Sequence, residues 1–206
     1  HPAASMRLRH LHRLGARYGE DFIHALPGSR RLRVPGLAED YFLFGQLALL
    51  APCRNLEQKL IRYRWHGGNV GATRWLEQMR VALSISRHLV DSLAAMQDCA
   101  SVDPAPFCTH GEALFEIEDR RDFSTEYIRM RGLLQKLVPD GADLRRELAF
   151  RRVAAVRSAP VMAARFAFFA ACHGTRQTER RAVKSWLLRG LRRQPRLTLP
   201  SLVRTA

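Results

Sequence analysis

Glu39 and Asp40 stand side by side at the head of the apolar run Tyr41-Phe42-Leu43-Phe44, and further on the chain reads Arg62-Tyr63-Arg64-Trp65-His66. A carboxylate fixed at the first turn of a helix can take a proton from an attacking sugar hydroxyl, whose own pKa lies far above neutrality. Arg64, His66 and the backbone of Gly67-Gly68 can stabilise the negative charge that grows on a departing diphosphate. Together the two clusters could serve both ends of a group transfer from a phosphate leaving group to a hydroxyl. Each also has an ordinary explanation. An acid pair at a helix start complements the macrodipole or caps the first turn, and Arg-x-His at a strand end is commonly a solvated edge.

The elements that would carry these residues can be read from pattern. Acids in the first turn and Pro52 just beyond the last leucines predict a buried helix from Glu39 to Leu50. Mixed alternation from Arg54 to Arg64, with Leu56, Leu60, Ile61 and Tyr63 for a core, predicts one or two short strands ended by Gly67-Gly68-Asn69. Upstream, Met6, Leu8, Leu11 and Leu14 alternate with arginines and stop at Gly15, the pattern of a short helix from Ser5 with a glycine cap. The stretch from Gly19 to Pro35 mixes Gly, Pro, Ser and Arg without periodicity and reads as a flexible surface loop.

Past Gly71 the pattern is helical throughout. Trp75, Met79, Leu83, Ser86, Leu89 with Val90, Leu93 and Met96 form one long apolar stripe, and further helices are predicted over 122–138, 142–158, 161–172 and 178–193. The loop from Ser101 to Cys108 contains prolines. Trp75 is read as the first core residue of the long helix.

Charge is unevenly spread. From Gly141 onward there are fifteen Arg or Lys against three acids, so most of the net +15 belongs to the last third of the chain. Such a tail attracts nucleic acid and anionic membrane surfaces alike. No helix-turn-helix or aromatic platform pattern accompanies it, and nucleic acid is not expected as the partner. The segment Arg180–Arg193 pairs its cations with an apolar face of Val183, Trp186, Leu187 and Leu191, which suits either an anionic membrane surface or the outer helix of a bundle. Cys53, Cys99, Cys108 and Cys172 show no CxxC or zinc-finger spacing and read as reduced structural thiols. The other histidines, His10, His12, His24, His88, His110 and His173, have no metal-ligand spacing and read as structural or surface groups. With no secretory signal and no span long enough to cross a bilayer, the expected location is cytoplasmic, peripheral at the inner face of the cell membrane if the tail binds there.

Taken in order, His1-Pro2, Met6-Arg7, Leu14-Gly15, Glu39-Asp40-Tyr41-Phe42-Leu43-Phe44, Asn55-Leu56 and Leu60-Ile61-Arg62-Tyr63-Arg64-Trp65-His66 resemble the C-terminal half of a family 2 glycosyltransferase, the inverting nucleotide-sugar enzymes of GT-A fold. The resemblance covers residues 1–75. It implies an α/β fold there, an incomplete GT-A half, followed over 76–206 by a helical extension with a basic tail. It implies Asp40 as catalytic base, Glu39 as supporting acid, and Arg64 and His66 facing the donor diphosphate or its metal. His1 and Met6 would belong to the segment closing the acceptor side. It further implies a nucleotide-sugar donor, a carbohydrate or lipid-linked acceptor, and a divalent Mg or Mn held by an Asp-x-Asp motif. No Asp-x-Asp occurs in this chain, so no metal-ligating residues are assigned, and the abrupt start at His1 suggests a piece of a longer enzyme that does not turn over alone. Gly71 stands where the Gln-x-x-Arg-Trp motif of processive synthases has glutamine, which favours addition of a single sugar. The competing expectation is a basic helical nucleic-acid-binding protein or membrane-surface scaffold without catalysis.

Overall fold

The computed structural model of the chain describes residues 8–53, 73–118 and 120–192. These form eight α-helices: α1 Leu8–Leu14, α2 Glu39–Leu50, α3 Trp75–Met96, α4 Leu114–Ile117, α5 Ser124–Leu137, α6 Ala142–Ala154, α7 Ala159–His173 and α8 Gln177–Arg192. Short 3-10 turns lie at Gly28–Arg30 and Thr109–Ala113. Among the described residues there is no strand, and extended pairing is confined to two isolated bridges, Glu20 with Arg33 and Asp122 with Val156.

The expected α/β fold is therefore overturned: in the described part of residues 1–75 there is no GT-A half. The physical reason is the partner that α2 chooses. Among the described residues its apolar face has no sheet to lie on and packs instead against α3, burying Phe42 beside Ile85 and Leu89, with Val34 and Ala38 closing the cluster. The helices approach closely at Gly45, where an added Cβ would lie 2.3 Å from Leu89 Cδ1. Burying a side chain the size of Phe42 completely is worth about 2–3 kcal/mol, more than helix propensity supplies over α2. The strands expected over 54–64 lie outside the described residues.

α3 is the longest of the described helices and has two buried sides. Ile85 and Leu89 join the α2 cluster, whereas Leu83 belongs to a larger core shared with α4 to α8. That larger core is aromatic at its centre. Phe150 of α6 stacks with Trp186 of α8 at 6.0 Å and tilts against Phe169 of α7 at 5.4 Å. Packing of this kind adds geometry-specific energy to area burial.

α8 contributes to this core: Val183 and Trp186 are buried and Leu187 is partly buried against it, while Leu188 is exposed. Its N-terminal turn is pinned by Glu179, which accepts both Arg146 Nη1 and Nη2 at 2.6 and 2.9 Å and the Arg176 N–H at 2.7 Å. Among the described residues no helix is long and apolar enough to cross a membrane.

Candidate functional site

The start of α2 is held from several directions, and the segment that precedes it does most of the holding. The stretch from Gly19 to Pro35, expected as a flexible surface loop, is instead packed: Phe22, Leu26 and Val34 are buried. Buried polar side chains stand in for periodic packing. Asp21 Oδ1 accepts the N–H groups of Ile23 and His24 at 3.0 and 3.1 Å, and Asp21 Oδ2 accepts His88 Nε2 of α3 at 3.1 Å. Gln46, inside α2, accepts the Phe22 N–H at 2.9 Å and donates to the Glu20 carbonyl at 2.9 Å. Buried polar groups satisfied this completely rigidify a backbone that has no regular structure.

Gly19 completes the turn. It has φ +72, its carbonyl accepts the Val34 N–H at 2.7 Å, and a Cβ there would sit 2.1 Å from the Val34 carbonyl oxygen. Leu37, with φ 75, occupies the left-handed region that ordinary side chains avoid. Its carbonyl accepts Gln78 Nε2 from α3 at 2.9 Å, which fixes the strained residue two positions before Glu39. Strain of this sort persists only where the surroundings impose it.

Glu39 and Asp40 then form the first turn of α2, both half-buried. The helix has Ala38 at its N-cap without a side-chain cap bond, so neither acid serves as the N-cap residue. Asp40 Oδ1 accepts the N–H of Tyr41 at 2.7 Å. The acids complement the positive end of α2, a contribution of about 0.3–1 kcal/mol each.

One residue further on, Tyr41 heads a polar cluster drawn from three elements. Its hydroxyl lies 2.9 Å from Ser86 Oγ; Ser86 in turn donates to the Ala82 carbonyl at 3.0 Å, which leaves Tyr41 as the donor to Ser86. The His110 ring meets the Tyr41 ring edge-on at 4.9 Å. Burial raises the Tyr41 phenol, partly offset by its bond to Ser86, and burial likewise raises the Cys108 thiol, with Ser86 again opposing. Burial holds the His110 imidazole below its ordinary 6.5. Each shift favours the neutral form, so Cys108 is no thiolate nucleophile at neutral pH and the cluster is a neutral hydrogen-bonding platform.

Of the residues singled out by sequence, Glu39 and Asp40 are thus together on one rigid turn, while Arg64, His66, His1 and Met6 lie outside the described residues. Ser86, Cys108 and His110 were not anticipated around Tyr41. A serine inside the apolar stripe of α3 was their one sequence signal. Among the described residues no group of three or more His, Cys, Asp or Glu side chains could hold a metal ion. The donor set of the described residues does not fit the divalent metal that the resemblance implies. No protein family, curated protein or solved structure matches the chain.

Proposed function

We propose that this chain contributes the acceptor side of an inverting, non-processive sugar transfer from a nucleotide-sugar donor to a carbohydrate or lipid-linked acceptor, with Asp40 as general base. The acceptor hydroxyl gives its proton to the Asp40 carboxylate as its oxygen attacks the anomeric carbon, and the bond to the nucleoside diphosphate breaks on the opposite face. Glu39 supports the base from the same turn. Arg64 and His66 are assigned to the departing diphosphate, where cationic donors offset the developing charge.

The observation that supports this reading is the mounting of Asp40. A general base must be within hydrogen-bond reach of the proton it takes, and a misplacement of an ångström is costly. Asp40 is half-buried on the first turn of a helix whose approach is fixed by Asp21 with His88, by Gln46 and by the strained Leu37. A carboxylate serving only the helix dipole needs no such clamp.

The test is Asp40→Asn in the protein encoded by the complete reading frame, assayed for sugar release and transfer across a panel of nucleotide sugars. Loss of the base is expected to lower turnover by about 10²–10⁴-fold while donor affinity stays the same. Turnover retained in Asp40→Asn removes the base assignment, and absence of turnover with every donor in the unaltered protein removes the reading altogether.

A further inference from the structure

Far from the acid pair in sequence, α5, α6 and α7 enclose an open groove of about 810 Å³, a size ordinary for small-molecule sites. Its lining has two characters. Leu144, Leu148, Val153 and Phe169, all buried in the core, present an apolar floor, and Phe168 stands at the rim 72% exposed. Around them are four arginines, Arg131, Arg145, Arg152 and Arg165, against one carboxylate, Asp140.

The helical spacing explains how cations and floor share one face. Arg145 and Arg152 lie seven residues apart on α6, two turns, and flank Leu148 between them. Tyr127, Arg131 and Gln135 follow one another at four-residue steps along α5. Arg165 and Phe168 are three residues apart on α7.

The arginines are not equally committed. Arg145 Nη1 meets Asp140 Oδ2 at 2.9 Å, and Arg165 Nη1 donates to the Arg152 carbonyl at 3.1 Å. Arg131 and Arg152 have no carboxylate partner among the described residues. Two uncommitted guanidiniums over a hydrocarbon floor are complementary to an anion with an apolar body, because guanidinium forks bind phosphate oxygens in pairs while the floor takes the chain. A neutral chain would leave the cations unanswered, and a bare anion would leave the floor and Phe168 in water.

We infer that the α5–α6–α7 groove is a binding site for a single amphipathic anion, a phosphate monoester carrying an apolar chain, with Arg131 and Arg152 on the phosphate and Phe168 covering the chain. The inference stands apart from the sugar-transfer reading and shares no residue with it. The basic 193–206 segment is a poor occupant, since like charges would face one another across the arginines.

The experiment is isothermal titration of the full chain with three probes: n-dodecyl phosphate below its micelle-forming concentration, inorganic phosphate, and the neutral n-dodecyl maltoside. One dodecyl phosphate per chain is expected, at least about tenfold tighter than either control, a margin of one decade in Kd. The double variant Arg131→Gln/Arg152→Gln should weaken dodecyl phosphate by about tenfold or more and leave the maltoside unchanged. Phe168→Ser should weaken dodecyl phosphate several-fold and leave inorganic phosphate unchanged; its exposure means that the fold does not depend on it. Equal affinity for the neutral chain, more than one ligand per chain, or insensitivity to both variants overturns the proposal. Binding that appears only with micelles or with phosphatidylglycerol vesicles also overturns it, by assigning the arginines to a membrane surface instead.

Discussion

The α2 region and the α5–α8 bundle reach order by opposite means. Around α2, irregular backbone from Gly19 to Leu37 is held by buried polar side chains that reach across long sequence distances, Asp21 to His88 and Gln46 to Phe22. In the bundle, regular helices are held by apolar and aromatic contacts such as Phe150 with Trp186, and much of the charge lies outside them. The difference explains where each region can act. Polar groups that fix a backbone place a carboxylate pair accurately, which suits chemistry. Arginines left over from packing offer complementarity to a ligand, which suits binding. Arg157 is where the bundle borrows the first device: it is 3% exposed, donates to the Gly111 and Pro106 carbonyls at 2.6 and 2.9 Å, and lies over the Phe115 and Phe123 rings.

The largest effect should come from breaking that exception. Burial pushes Arg157 down to about 10, and two buried carbonyls depend on it. Arg157→Met fills the space between the rings but removes the guanidinium donor from both carbonyls, leaving the Gly111 oxygen only the Leu114 N–H, and a loss of about 3 kcal/mol in unfolding free energy is expected. Arg157→Lys should fail to restore it, because an ammonium cannot spread between two rings and fork to two oxygens. Urea denaturation measures both. Since the segment from Pro106 to Gly111 carries His110 against Tyr41, amides of that segment should lose exchange protection before those of α6 and α7. A variant as stable as the parent would mean that the rings alone hold the loop.

Asp21→Ala breaks the other side of the comparison. It leaves the Ile23 and His24 N–H groups and His88 Nε2 without their acceptor, at a cost of about 2 kcal/mol. The sharper readout is local. Hydrogen exchange should rise over residues 19–38 and at the first turn of α2 while the bundle stays protected. Uniform loss across the molecule would show that the two regions unfold as one unit and that the clamp has no separate identity.

What sequence could reveal divides along the same line. The bundle helices were legible because i, i+3, i+4 stripes are local: α3 was expected from Trp75 to Met96 and is found there, and α5 to α8 fall within a few residues of their predicted ends. The second buried side of α3, with Ile85, His88 and Ser92, was hidden because a stripe reports one face and this helix has two. The stretch from Gly19 to Pro35 was misread as flexible for a deeper reason. Its order rests on partners 24 to 67 residues away, and nothing local records them. Gln46, a lone polar residue inside an apolar run, was the visible trace of one such partner. The acid pair was legible as a pair. Its clamp and its neighbours Ser86 and His110 were not, and Arg64 and His66, with the strand expected to carry them, lie outside the described residues.

Gly19→Ala is a smaller and more local test of the α2 clamp. The new Cβ meets a backbone oxygen at 2.1 Å and the backbone sits at φ +72, so no rotamer change relieves it. About 1–2 kcal/mol should be lost, seen as a lower urea midpoint with the helical circular dichroism signal intact. The consequence for the proposed site is a drop in turnover without any change in a residue that touches substrate. Unchanged stability would mean that the turn from Gly19 to Val34 can open without disturbing α2.

The smallest expected effect lies in the bundle and depends on pH. The Arg146 guanidinium, hydrogen-bonded to both oxygens of Glu179, is the main cause that holds that carboxyl below its ordinary 4.5, and the Arg176 N–H assists. Because the folded value is the lower one, the pair stabilises the fold fully above 4.5, and the contribution fades as pH falls below 4.5 through the folded value. Glu179→Gln removes the titrating group but keeps an acceptor for Arg146. The difference in urea midpoint between parent and variant should therefore be widest near neutrality and close as pH drops below 4.5. A difference that does not change with pH would assign Glu179 to shape alone. The bundle would then owe its order to apolar contact even at the polar seam between α6 and α8, a stronger form of the contrast with α2.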